Sequence, residues 1–496
     1  MKNKMILSLI ILLTLCLSIS VVSANENITD ISTSDGGDVE VISSSDEIVK
    51  SDSTLSASNV NGYNTFSTKY SVNLESDGVP LASKQINITI DDVTYTKTTD
   101  NNGQASVNVK LGAGTYDVLC AYSGDENTSD CLASSTITVK AAIKTTVKVA
   151  DKDINYRQGS KCAFIVKLLD ANGNAIKNQK ITFKVNGKTY TANTNSLGYA
   201  KIFLKLKKGT YTVKFSFAKK APYLGSSGSY KIKVKPSMGK GNGYWMWAGG
   251  MKTANLKTLS NKGTKHIFLN SYAITLYGSS AVKSFITKAH KYGIKVHIWM
   301  QVCYDGGWIS PVNKDGSFKY SFMNKKIAEA KKYAKISGVD GVHLDYMRFG
   351  GTAHYYSTST KAINYMVKKI AIGVRSIKSN CIVSVAIMPE PSMNKYYYGQ
   401  DVPTMSKYVD ALLPMVYKGN YNAGTSWIKS VTKTLVSQSN GAQIWTGLQA
   451  YKSDSNVAKL SHAELLKDAK AAKSAGAAGV ILFRFGLSNL LNFNKV

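Results

Sequence analysis

Two carboxylates offer the chemistry that stands out first in this sequence. Asp345 closes the run Gly341-Val342-His343-Leu344-Asp345 and is followed by Tyr346-Met347-Arg348-Phe349, while Glu390 stands between Pro389 and Pro391. Cleavage of a glycosidic bond requires one acid that protonates the leaving oxygen and a second that attacks or activates a water. A buried strand of period two places His343, Asp345 and Met347 on one face and Val342, Leu344 and Tyr346 on the other. Polar groups that share a face with core residues are costly unless they have partners or a task. Around Glu390 the prolines restrict the backbone, as a positioned acid requires. The competing readings are a hydrogen-bonded structural Asp at 345 and an exposed loop acid at 390.

Such residues need a scaffold, and the chain beyond residue 243 reads as one. Apolar strands at 244–248, 266–270, 295–302, 342–347, 382–388, 411–417, 443–449 and 480–485 alternate with helical stretches, among them 281–292, 324–337, 360–378, 426–437 and 463–475. This alternation predicts a (β/α)8 TIM barrel, and the lack of a G-x-G-x-x-G opening the first helix removes the main open-sheet alternative. In such barrels chemistry sits at the C-terminal strand ends. Those ends supply Trp299, Gln301 and Asp305 from strand three, and Asp345, Tyr346 and Arg348 from strand four. Glu390 follows strand five, Tyr417 strand six, Gln449, Tyr451 and Asp454 strand seven, and Arg484 strand eight. The aromatic rings among them suit the apolar faces of sugars.

Arginine is scarce here: Arg157, Arg348, Arg375 and Arg484 are the only four among 62 basic residues. Two of the four stand beside strand ends, where a planar fork pairs with carboxylates, so the expectation is that Arg348 and Arg484 fix the catalytic acids. His297 and His343 on neighbouring strands, with Asp345, are a weaker candidate for a metal set than for satisfied core histidines. No metal and no cofactor is expected.

The rest of the chain bounds the setting. Basic residues exceed the 31 acidic ones to give a net charge of +31. No zinc knuckle, helix-turn-helix or basic run interleaved with aromatics points to nucleic acid, and the excess suits an anionic cell envelope instead. Residues 1–24 read as a secretory signal, with Lys2 and Lys4 ahead of an apolar run, and no other stretch approaches the ~20 apolar residues of a spanning helix. Residues 25–57, rich in Ser, Thr and Asp, read as a disordered spacer. A repeat follows: Gly78, Ile86, Ile88, Tyr95, Gly103, Gly114, Tyr116 and Val118 are matched 95 positions on by Gly173, Ile181, Phe183, Tyr190, Gly198, Gly209, Tyr211 and Val213. Short alternating runs between Gly turns predict two all-β sandwiches, 58–140 and 141–235, joined through a Gly-rich linker at 236–243 to the barrel at 244–496. Cys120 and Cys131 flank a turn-rich segment and are placed to bridge; no paired CxxC motif is present.

The sandwich repeats resemble the bacterial Ig-like repeats of surface adhesins and secreted wall enzymes. The run Asp340-Gly341-Val342-His343-Leu344-Asp345-Tyr346-Met347-Arg348-Phe349, with Asp410-Ala411-Leu412-Leu413-Pro414-Met415-Val416-Tyr417 later on, resembles the glycoside-hydrolase barrels of the D-G-[IV]-x-[LF]-D-Y-x-R-[FY] type. These are distantly related to alpha-amylase and alpha-galactosidase barrels. The resemblance implies that Asp345 is the nucleophile and that a strand-five acid, Glu390, is the proton donor. The alpha-amylase signatures of strands three and seven are missing, and the chitinase pattern D-x-x-D-x-D-x-E is incomplete, so neither substrate carries over. The expectation is therefore a secreted or cell-surface monomeric hydrolase of a wall or extracellular polysaccharide, with His343, Trp299, Gln301, Asp305, Tyr346, Arg348, Tyr417, Gln449, Tyr451 and Arg484 supporting the acids or binding substrate. The alternative is a surface adhesin whose barrel binds glycan without cutting it.

Overall fold

The structure is a computed structural model that describes residues 49–496. The signal segment and most of the spacer, residues 1–48, lie outside the described residues. The chain forms two compact units: one holds residues up to 58 with 71–107 and 117–136, the other 59–70, 108–116 and 137–496.

In the first unit Ser53–Ala57 pairs antiparallel with residues 72–76, and Gln85–Ile90 pairs with Val93–Thr98 and with residues 118–121. The spacer read as disordered to residue 57 thus ends early, because Leu55 alternates with polar neighbours and is buried. The strands Gln85–Ile90, Val93–Thr98, Gln104–Val109 and Gly114–Tyr122 recur 95 residues on as Lys180–Val185, Lys188–Asn193, Tyr199–Leu204 and Gly209–Phe217, so the repeat in sequence is a repeat of strands. Cys131 is not bridged; its Sγ accepts from the Ser53 hydroxyl at 3.1 Å.

In the second unit a three-stranded sheet (Thr145–Val149, Cys162–Asp170, Tyr199–Leu204) and a four-stranded sheet (Lys188–Asn193, Lys180–Val185, Gly209–Phe217, Ser226–Val234) share one core. Phe164 of the first sheet meets Phe183 and Phe215 of the second, with ring centroids 6.2 and 6.0 Å apart.

The same unit contains a closed barrel of eight parallel strands: β1 (Gly243–Met246), β2 (His266–Asn270), β3 (Lys295–Gln301), β4 (Gly341–Asp345), β5 (Ile382–Ile387), β6 (Ala411–Val416), β7 (Gln443–Gln449) and β8 (Gly479–Phe483). Outward residues such as Val342, Leu344, Val383 and Val385 pack under the surrounding helices, while Trp245, Phe268, Trp299, Trp445 and Ile481 pack together in a separate cluster. The helix Ser359–Ile377 buries a continuous stripe (Ile363, Met366, Val367, Ile370, Val374) at the spacing of an amphipathic helix.

The expected alternation fails at one place. Strand four was expected to continue to residue 347, but β4 ends at Asp345, because Tyr346 has φ +51°, a left-handed backbone that cannot extend a ladder. The alternation resets there, so Met347 joins the outer core and Tyr346 faces the barrel mouth, the reverse of the predicted faces.

The barrel interior is polar in an unusual way. The Trp245 indole N–H donates to His343 Nε2 at 3.1 Å, which makes that nitrogen an acceptor and directs the Nδ1 proton to Ser384 Oγ, 2.9 Å away. His266 Nδ1 lies 2.8 Å from His297 Nε2. All three histidines are buried, and burial depresses their pKa, to about 3 for His297 and His343.

At the N-terminal end of β6, residues of the 141–235 stretch meet the barrel. The buried Asp410 accepts from Arg157 Nη2 at 2.6 Å, Asn155 Nδ2 at 2.8 Å, Arg375 Nη2 at 2.8 Å and the Val383 N–H at 2.9 Å. Burial alone would raise the Asp410 pKa, but Arg375, Arg157 and Lys235 hold it below the usual carboxylate range. Asn155 N–H also donates to the Lys407 carbonyl at 2.8 Å.

Two outcomes follow. Arg157→Ala should destabilise the fold by about 3 kcal/mol in urea titrations, because it leaves a buried carboxylate under-paired; a change within 0.5 kcal/mol would mean the contact contributes nothing. The buried histidines are neutral in the native state and titrate near 6.5 when unfolded, so the unfolded chain binds more protons below that pH. Stability should be complete above about pH 6.5 and fall below it toward pH 3, by about 1.4 kcal/mol per pH unit for each histidine. A stability profile flat from pH 7 to 5 would contradict their burial as neutral groups.

Candidate functional site

A cavity of about 180 Å3 opens at the C-terminal end of the barrel, with Asp345 at the end of β4 in its wall. Asp345 is 9% exposed. Trp299 Nε1 donates to Oδ2 at 2.9 Å, and the Tyr346 N–H, turned back by its left-handed backbone, donates to Oδ1 at 2.7 Å. Burial raises the Asp345 pKa; the two donors and the nearby Arg348 guanidinium work against that rise without cancelling it.

Aromatic rings build most of the wall. Trp299 stands between Trp247 and Phe483, at centroid distances of 5.2 and 6.2 Å, and Tyr417 stacks on Phe483 at 5.4 Å. Tyr346 stacks on Tyr304 at 4.8 Å. Trp299, Gln301, Tyr346, Arg348 and Tyr417 all line the cavity with Asp345, as does Asp454. Asp454 accepts from the Tyr451 hydroxyl at 2.8 Å and from Asn420 Nδ2 at 2.7 Å, and Gln449 Nε2 in turn donates to Asn420 Oδ1 at 2.9 Å. Gln449 and Tyr451 therefore act behind Asp454 rather than in the wall.

Other expected residues lie elsewhere. Glu390 does not line this cavity: past β5 the chain turns into the short helix Asn394–Tyr398, and the Glu390 carboxylate accepts from the hydroxyls of Tyr398 at 3.1 Å and Tyr421 at 2.7 Å. Asp305 is on an exposed turn, its N–H bonded to the Gly307 carbonyl. His343 is a layer below, holding Trp245, which does reach the cavity.

The expectation that the mouth arginines pair with acids is also not met. Among the described residues neither Arg348 nor Arg484 forms an ion pair; Arg348 lies over Trp308, 4.4 Å from its ring centroid, and Arg484 over Trp247 at 5.6 Å. Both arginines that do pair, Arg157 and Arg375, meet Asp410 at the other end of β6.

Trp245, Trp247 and Phe483 are aromatic wall residues that sequence reasoning missed. The signal for Trp247 was the i, i+2 repeat of Trp245 and Trp247 across the end of β1, which puts both rings on the inward face. Nothing local marked Phe483, whose neighbours in the wall come from distant strands.

No family model and no curated protein matches the sequence. Among solved structures, the spore cortex-lytic enzyme SleL of Bacillus cereus is 13% identical over 54% of this chain and 76% of its own, with a TM-score of 0.40. A chitinase from Chromobacterium violaceum is 14% identical over 50% of this chain and 95% of its own, at 0.39. A beta-glucuronidase of Bacteroides uniformis is 9% identical over 84% of this chain and 58% of its own, at 0.36. Likenesses this remote leave the site to be interpreted from its own geometry.

That geometry makes Trp299, with the Tyr346 N–H, one of two donors that restrain the Asp345 pKa. Trp299→Phe removes the N–H and keeps the ring, so the Asp345 carboxyl should titrate at higher pH than in the parent protein, read from its side-chain carbon shift by NMR. An unchanged or lower midpoint would remove Trp299 from that role.

Proposed function

We propose that the chain is an exported glycoside hydrolase acting on a wall or extracellular polysaccharide. The observation that carries this is a buried carboxyl of raised pKa, Asp345, sharing an aromatic-walled cavity with a second, exposed carboxyl, Asp454. Flat aromatic surfaces hold sugar rings, and two carboxyls in different surroundings divide the roles of acid and base. Asp345, whose pKa burial raises, serves as the acid and gives its proton to the glycosidic oxygen as the bond to the anomeric carbon breaks. Asp454, oriented by Tyr451 and Asn420, takes the proton of the water that adds to that carbon. The products are two free sugar ends and the pair returns to its starting protonation by exchanging one proton with solvent. In this pairing Asp454 takes the place expected of Glu390, since Glu390 is engaged by Tyr398 and Tyr421 outside the cavity.

Export rests on the signal-like 1–24 segment, and an anionic envelope as the place of work on the net charge of +31. Among the described residues no helix is long and apolar enough to cross a membrane. The two sandwiches, read as Ig-like modules, are proposed to carry the barrel toward the wall.

Assays on a panel of glycans test the assignment. Asp345→Asn should slow unactivated substrates by about 10²–10⁴-fold and aryl glycosides with good leaving groups far less, as loss of a general acid does. Asp454→Asn should slow both kinds alike, and Glu390→Gln neither. If the protein binds glycans but the parent cleaves none, the barrel is a binding module; if Glu390→Gln is as damaging as Asp345→Asn, the pairing with Asp454 is wrong.

A further inference from the structure

The four arginines in this chain divide between the two ends of the barrel, with a different use at each end. At the base, Arg157 and Arg375 share the Asp410 carboxylate, and Arg157 also donates to the Pro236 carbonyl at 2.8 Å and Arg375 to the Tyr408 carbonyl. At the mouth the guanidinium groups are left open. Arg348 has five N–H donors and, among the described residues, makes one hydrogen bond with its side chain, to the Phe349 carbonyl at 3.1 Å. Its Nε is buried without a partner, and the group is fixed in place by Trp308, Tyr346 and Tyr398, whose ring centroids lie 4.4, 5.7 and 5.4 Å away. The Arg484 side chain makes no hydrogen bond or ion pair among the described residues and rests on the cavity-wall ring of Trp247. Arg348 follows β4 and Arg484 follows β8, which face each other across a closed ring of eight strands.

A partly buried guanidinium held rigidly by aromatic rings, with its donors unspent and in the wall of a cavity, is suited to an incoming oxyanion, which it can hold by two parallel bonds. Lysine, used almost everywhere else in this chain, is a flexible point charge and would not give that geometry. We propose that the glycan taken at this mouth is acidic, and that Arg348, with Arg484 on the far side, recognises an oxyanion on the sugar. The chemistry is shared by a uronic acid carboxylate and a phosphate ester. This rests on the mouth being a glycan site but not on the bond being cut there.

The test uses the full chain and three oligosaccharide sets of equal length: uronic acid, phosphate-bearing and neutral. Calorimetry with the parent should give at least tenfold tighter binding of one acidic set than of the neutral set. Arg348→Gln should weaken that set by about 10- to 100-fold, the loss expected for hydrogen bonds to a charged group, and weaken the neutral set by a clearly smaller factor. Arg348→Lys should restore only part of the loss, because it returns the charge without the fork. Arg484→Gln, at a less buried position, should weaken the acidic set by a smaller factor and guards against a folding defect in the first variant. Attraction by surface lysines is common to all variants and fades with salt, so the ratio between parent and variant at 0.3 M salt isolates the arginine. The set that loses affinity identifies the oxyanion. Equal binding of acidic and neutral sets, or an acidic preference that survives both Gln variants, overturns the proposal. Arg348-dependent preference without turnover sustains it and ends the hydrolase assignment; turnover of neutral glycans that Arg348→Gln does not alter has the opposite consequence.

Discussion

A carboxyl group can be buried at the edge of a cavity only if its oxygens keep donors in place of water, and the mouth of this barrel is arranged around that requirement at Asp345. One donor is the indole of Trp299, on the neighbouring β3; the other is the backbone N–H of the very next residue, made available because Tyr346 leaves the strand conformation. The left-handed backbone at a bulky residue is costly, and here it terminates β4, satisfies Asp345 Oδ1 and turns the Tyr346 ring into the wall in one step. Trp299 is in turn confined by Trp247 and Phe483.

Beneath that layer the barrel interior packs indoles and imidazoles among Phe268 and the branched aliphatics Ile382, Leu413 and Ile481, where such cores are commonly dominated by branched aliphatics. Most of the polar atoms are bonded to one another, Trp245 to His343, His343 to Ser384 and His266 to His297, while His297 Nδ1 is buried without a partner. Such a network specifies ring orientation more tightly than apolar packing does, since each donor has one direction to satisfy. It also keeps Trp245 fixed, and Trp245 forms part of the cavity wall. Of the two histidines that invite a metal interpretation in sequence, His343 holds the wall ring of Trp245 and His297 bonds to His266.

The two ends of the barrel treat charge in opposite ways. At the base, one carboxylate is shared between two guanidinium groups and sealed from water, which ties the second sandwich to β6. At the mouth, acids and arginines are separated: Asp345 is held by neutral donors, Asp454 by a tyrosine and an asparagine, and the arginines by aromatic faces. Charges neutralised by one another are suited to holding a fold together, and charges held by neutral groups remain available to something that enters.

Much of this was legible in the chain. The 95-residue repeat, the eight barrel strands to within a residue or two at each end, and Asp345 with Trp299, Gln301, Tyr346, Arg348 and Tyr417 near the mouth follow from periodicity and from where strands end, which are local properties of sequence. What sequence did not determine is which distant groups meet. Glu390 and Asp454 both follow strand ends, yet only the path of the chain beyond each strand sends one to Tyr398 and Tyr421 and the other into the cavity. The end of β4 at Asp345 depended on a backbone conformation at Tyr346 that residue type does not encode, and with it went the predicted faces of Tyr346 and Met347. The partners of the four arginines were decided the same way. A rare residue type signals that a special geometry is needed, but whether a guanidinium finds a carboxylate or an aromatic ring depends on what closure of the barrel brings beside it.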